Sequence, residues 1–83
     1  MTQNVPLNKA TFYHAGCPVC LDAERELAFS LDPQRFEVEV VHLGEQKDRL
    51  AEAQRAGVVS VPALVIGSQP YHINFGAALA DLK

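Results

Sequence analysis

Phe12-Tyr13-His14-Ala15-Gly16-Cys17-Pro18-Val19-Cys20 is the stretch whose reading decides the fold of this chain. It continues a short run, Ala10 to Tyr13, whose aromatic and β-branched members suit a buried strand. His14 to Pro18 then turns the chain and starts a helix, with Cys17 at the N-cap and Pro18 at the first helical position. There the fixed φ of proline fits, and its missing N–H costs nothing. Asp22, Glu24 and Glu26 populate the early turns and agree in sign with the helix dipole. Cys20, Ala23, Leu27 and Leu31 form one stripe at helical spacing, and Asp32-Pro33 ends the segment.

Downstream, Phe36-Glu37-Val38-Glu39-Val40 alternates strictly and Val41-His42-Leu43 extends it. Alternation buries one face and wets the other, which suits a strand at a sheet edge. Glu45 to Ala56 is rich in helix formers, and Gly57 supplies a stop. Val58 to Val61 leads through Pro62 into a short apolar strand, Ala63 to Ile66. Gly67 to Pro70 makes a turn, Tyr71 to Phe75 returns antiparallel, and Ala77 to Lys83 reads as a final helix. Residues 1–9 read as a loose leader, and residues 10–83 as one domain. The element order is β-α-β-α-β-β-α, an α/β domain with a four-stranded mixed sheet flanked by helices. Its first two strands are expected to be parallel, and its last two antiparallel.

Composition narrows the classes of function. The chain of 83 residues carries seven Lys and Arg against ten Asp and Glu, a net charge of −3. Scattered bases among more numerous acids exclude nucleic acid as an expected partner. No run approaches the roughly 20 apolar residues that span a bilayer, so no membrane partner is expected. Met1 to Ala10 has no apolar core of a secretory signal, and a cytoplasmic location follows by default. Two cysteines three positions apart are too few for a secreted disulfide framework. In a reducing compartment such a pair is redox-active or metal-binding more often than structural.

The segment Phe12 to Cys20 resembles the active-site segment of glutaredoxins and related thioredoxin-fold proteins. Roughly forty residues later, Gly57-Val58-Val59-Ser60-Val61-Pro62-Ala63-Leu64-Val65-Ile66 resembles the family's second landmark, where a Val-Pro step opens the third strand. With the element order, the resemblance covers residues 10–83 and implies a glutaredoxin-like thioredoxin fold. It implies that Cys17 is the attacking thiol, Cys20 the resolving thiol, and Pro62 a cis-proline facing the pair. The chain departs from the family at several places. Gly16 and Thr11 stand where thioredoxins have a Trp and a buried acid, and His14 stands where glutaredoxins usually carry a Lys that helps bind glutathione. Phe75-Gly76-Ala77 is a reduced form of the family's Gly-Gly and acid near the last helix.

The chemistry expected of Cys17 has a physical basis. Only a thiolate attacks a disulfide, and the N-terminus of a helix lowers a thiol pKa from about 8.5 through its free N–H groups and dipole. Cys20, one turn on, faces the same side and can close the disulfide. A zinc knuckle or a pair of inert buried thiols is the alternative, although zinc normally takes four ligands and one C-x-x-C offers two. His14 supports the Cys17 thiolate or touches a substrate carboxylate, or else is a solvated loop residue. His42 and His72 read as surface or satisfied residues, and Glu37 and Glu39 as a solvated face. Pro18 and Val61 are candidate substrate contacts; the Val61 backbone could pair with an extended substrate. Phe12, Tyr13, Tyr71 and Phe75 read as core, with the substrate groove as the alternative place for one of Tyr71 and Phe75.

The leading expectation is thus a dithiol–disulfide oxidoreductase acting through a mixed disulfide. A redox-responsive binding or carrier module and a metal-binding C-x-x-C domain are the alternatives. The expected partner is a disulfide-bearing protein or a small thiol or disulfide. No bound cofactor is expected; the resemblance supplies glutathione as a candidate co-substrate. By the same analogy the potential falls at roughly −270 to −200 mV. The short terminal helix covers a sheet face poorly, leaving either a thin core or a homodimer.

Overall fold

The computed structural model describes residues 8–31 and 34–82, with all their side chains except those at 8, 27–30, 74 and 75. Strand β1, Asn8–His14, leads into helix α1, Pro18–Ser30. Strand β2, Phe36–His42, is followed by a 3₁₀ turn at Lys47–Arg49 and helix α2, Leu50–Arg55. Strands β3, Ser60–Ile66, and β4, Gln69–Ala78, form a hairpin, and a 3₁₀ turn at Leu79–Leu82 closes the described chain. The sheet order is β2-β1-β3-β4. β1 runs parallel to β2 and antiparallel to β3, and β3 runs antiparallel to β4. The expected edge position of the alternating strand and the expected strand directions are found, but the expected burial of its valine face is not: Val38 and Val40 are exposed, because α1 packs over β1, β3 and β4.

Burial explains this order. The central strands are buried over residues 10–14 of β1 and 60–65 of β3, and β3 reads as a nearly continuous apolar run. Ala10 and Phe12 pack with Ala23 and Leu64 on the α1 side, joined by Leu31, Phe36, Ile66 and Ile73. Tyr13, Val41, Leu43, Leu50, Ala53, Val58, Ala63, Val65 and Leu79 form the larger cluster on the α2 side. Phe12 and Tyr13 are core, as expected. Tyr71 is 52% exposed, against the expectation of a core position, because it stands on the outer strand β4. Phe75, also expected in the core, and Leu27 of the helical stripe have side chains outside the described residues.

The boundaries shift where long-range pairing outweighs local pattern. β1 takes in Asn8 and Lys9, two residues assigned to the leader, because they pair with Phe36 and Glu37. The rest of the leader, like Asp32, Pro33 and Lys83, lies outside the described residues. The expected helix from Ala77 is absent. Ala77 and Ala78 instead extend β4 by pairing with Val61 and Ser60, and only a 3₁₀ turn follows. A seven-residue helix is too short to hold itself, whereas the strand finds an adjacent partner. The helix expected from Glu45 begins instead with the 3₁₀ turn. The Gln46 side chain that could have capped it accepts the His42 N–H at 3.2 Å. Its far end closes as expected at Gly57: the Val58 N–H reaches Ala53 O at 3.0 Å and the Gly57 N–H reaches Gln54 O at 3.0 Å, a Schellman arrangement.

Glu39 is more than a solvated face. Arg49 bonds Glu39 at 2.7 Å and Glu52 at 2.7 and 2.9 Å, Lys9 lies 3.3 Å from Glu39, and the Tyr13 hydroxyl donates to Glu52. The Arg49 hydrogen bonds hold both carboxyls below their ordinary pKa. Burial, reinforced by the Glu52 carboxylate, pushes the Tyr13 phenol well above its ordinary value. This chain of contacts ties α2 to β1 and β2.

Candidate active site

Parallel pairing of β1 with β2 delivers His14 and His42 to the same end of the sheet, as register partners. There the chain leaves β1 through Ala15 and Gly16. Gly16 has φ of +78°, a left-handed conformation that side chains disfavour. A Cβ at Gly16 would also stand 2.7 Å from His42 Nε2. The turn therefore needs glycine for two independent reasons.

Cys17 follows as the N-cap: its carbonyl accepts the first helical bond from the Leu21 N–H at 2.9 Å. Its sulfur receives the Cys20 N–H at 3.2 Å, so a free backbone donor of α1 points at the sulfur. Cys17 and Cys20 are joined in a disulfide with 4.9 Å between their Cα atoms. Cys17 is half-buried, Cys20 is fully buried, and Pro18 is exposed beside them. The first turn of α1 holds no acid; Asp22, Glu24 and Glu26 follow it, so the expected support to the dipole begins one turn late.

The Val61–Pro62 bond is cis and both residues are fully buried. Their approach to the cysteines is read from Gly76 of β4. A Cβ there would overlap the Cys17 sulfur, stand 3.0 Å from Val61 O and 3.4 Å from the Cys20 sulfur. The disulfide, the strand before Pro62 and the end of β4 thus meet at Gly76. Val61 also pairs with Ala77, so β4 occupies the backbone edge that was expected to receive a substrate.

His14 is neither a solvated loop residue nor an open carboxylate contact. It is 5% exposed at the end of β1, and its Nδ1 accepts the Gly16 N–H at 3.1 Å. Its ring lies 5.5 Å from Phe12 and 4.7 Å from His42, and Nε2 is 3.9 Å from Glu24. Burial and the neighbouring His42 lower its pKa against the opposing pull of Glu24 and Glu45. His42 lies beneath the turn with a buried Nδ1 that finds no partner among the described residues. His72 is exposed and accepts the Val59 N–H at 3.2 Å, matching its reading as a satisfied surface residue.

A pH dependence follows from the His14 contact. Accepting the Gly16 N–H requires an unprotonated Nδ1, and the folded-state pKa lies below the ordinary 6.5. The unfolded chain then binds more protons, so this stability is present above pH 6.5 and is lost as pH falls from there through the folded pKa. Urea midpoints measured across that window should fall for the wild type. For His14→Asn, whose side-chain oxygen can still accept the Gly16 N–H, they should fall less steeply. Equal slopes would place the proton elsewhere.

No family model and no curated protein matches the chain. Among solved structures, it is similar to a dimeric thioredoxin-like protein from Nitrosomonas europea determined in solution by NMR. The two are 58% identical over 93% of this chain and 96% of that one, with a TM-score of 0.86. The chain belongs to the thioredoxin-like proteins.

In this thioredoxin-like protein the expected pair Cys17 and Cys20, the cis-Pro62 and the first-turn Pro18 all come to one end of the sheet. The roles of His42, Gly16 and Gly76 escaped sequence reading. The signal for the first lay in the parallel register, which ends β1 and β2 on a histidine each. Among the described residues no three His, Cys, Asp or Glu side chains group as a metal site, and no helix is long and apolar enough to cross a membrane.

Proposed function

We propose that this thioredoxin-like protein is a dithiol–disulfide oxidoreductase. The reading rests on Cys17, held as the N-cap of α1 with a backbone N–H on its sulfur and in disulfide linkage with Cys20. In the reduced protein the same N–H would stabilise a Cys17 thiolate. That thiolate attacks one sulfur of a client disulfide, forming a mixed disulfide and releasing the client's first thiolate. Cys20, once deprotonated, attacks the Cys17 sulfur and releases the second. Two electrons pass to the client, and two equivalents of a thiol such as glutathione restore the dithiol. Pro18, exposed next to Cys17, offers a contact for the client, a disulfide-bearing protein or small disulfide in a reducing cytoplasm. His14 is turned inward, so glutathione would act as a thiol without a carboxylate clamp at that position.

The test is equilibration across glutathione redox ratios, alkylation, and intact mass. Passage from two alkylated thiols to none supports the reading and gives the potential. Two alkylatable thiols at every ratio would overturn it. The contact of Gly76 with the Cys17 sulfur favours a second reading, a redox-responsive binding module, since reduction would change what lies beneath the end of β4. Redox-dependent binding without turnover of small disulfides would select that one. We also infer that the chain forms a homodimer, since so similar a protein is described as dimeric.

A further inference from the structure

Resting on that homodimer, we propose that the second copy pairs edge to edge with β2, antiparallel, about a two-fold axis at Glu39. The sheet has two outer strands. β4 is poorly suited to addition: it carries Pro70, which has no N–H, and its pairing with β3 is irregular between Val61 and Ala63. β2 carries no Pro, Gly or bulge, and its seven residues pair regularly with β1 from Phe36 to His42. A regular edge without Pro, Gly or bulge is a template for another strand.

The side chains of β2 point the same way. Val38 and Val40 are register partners of Ala10 and Phe12, which face α1, yet each valine is 43% exposed. Helix α1 packs chiefly over β1, β3 and β4 and leaves the outer strip of β2 open. Directly opposed residues of an antiparallel pair share a face, so the registers available to a two-fold pair step by two positions. The axis at Glu39 sets Val38 opposite Val40 of the second copy, and Val40 opposite its Val38, giving four valines on one face. An axis at Val38 would instead oppose Glu37 and Glu39 twice, a like-charge arrangement that destabilises a cross-strand pair. With the axis at Glu39, that residue meets its own copy, and each carboxylate is already held by Lys9 and Arg49. Among the described residues the other exposed large apolar side chains are Leu21 on α1, Val59 in the loop before β3 and Tyr71 on β4, and they form no such row.

The experiment measures mass in solution for the wild type, Val38→Lys/Val40→Lys, and Val59→Lys, with circular dichroism to confirm folding. Each substitution counts twice in a two-fold interface, so the double variant should raise the dimer dissociation constant by about 100-fold or more. Val59→Lys should remain dimeric. Glu39→Cys in a Cys17→Ser/Cys20→Ser background should cross-link to a covalent dimer under mild oxidation, while Ser68→Cys, at the distant hairpin, should not. A dimer that survives both lysines and resists cross-linking at position 39 overturns the surface but keeps the dimer. A wild type that is monomeric overturns both.

Discussion

Cys17→Ser should abolish disulfide reduction, lowering the rate by about a thousandfold or more, because a hydroxyl supplies no thiolate at neutral pH. The backbone N–H on the Cys17 sulfur can only stabilise a negative charge that the side chain is able to form. Cys20→Ser should behave differently. Its attacking thiol is intact, so the first exchange proceeds and the protein should accumulate as a mixed disulfide with its client. Cys20 is fully buried and Cys17 half-buried, so on the proposed mechanism the client should reach Cys17 first. Thiol release from a small disulfide measures the first effect, and intact mass under non-reducing conditions the second. Retained turnover in Cys17→Ser would exchange the roles of the two residues or remove the mechanism.

Gly76→Ala should damage the stability of the fold and the site together. The added methyl would overlap the Cys17 sulfur and crowd Val61 O at 3.0 Å. Neither neighbour is the loose end of a flexible side chain; one belongs to the cross-linked pair and the other to backbone of a central strand. The end of β4 must therefore lift away, breaking the pairing of Ala77 and Ala78 with Val61 and Ser60. Overpacking of this kind costs about 1–3 kcal/mol. Reactivity of Cys17 should change together with stability, because the same displacement uncovers the disulfide. Gly67→Ala is the comparison: it meets nothing within 4 Å, so it carries only the backbone cost of its φ of +63°, about 1 to 2 kcal/mol. Urea midpoints and alkylation rates of the reduced proteins separate the two cases. A Gly76→Ala protein with unchanged stability and unchanged Cys17 reactivity would show that β4 does not press on the site.

The residues that were legible in advance share a property: their environment is set by near neighbours. Cys17 and Pro18 begin α1 because N-cap and first-turn preferences act within a few residues. The alternation of Phe36 to Val40 announces the edge position of β2, although the apolar face it was expected to bury stays open, with Val38 and Val40 exposed. The misread residues depend on contacts distant in sequence. His14 looks like part of a solvated turn until β2 lays His42 beside it. Glu39 looks solvated until Arg49 arrives from the turn before α2. Tyr71 looks like core until β4 proves to be the outer strand.

The sequence by itself thus determined the two cysteines at a strand-to-helix turn, the order and direction of the strands through the hairpin, and the landmark proline. The turn and the strands follow from local sterics and hydrophobic period; the cis-proline was implied by the family resemblance. Only the tertiary structure decided that β4 runs on past Gly76 to cover the disulfide, that Val61 spends its backbone on Ala77, and that β2 is left with an open apolar edge. Backbone hydrogen bonding must be satisfied somewhere, and which partner satisfies it is settled by what the completed sheet places within reach.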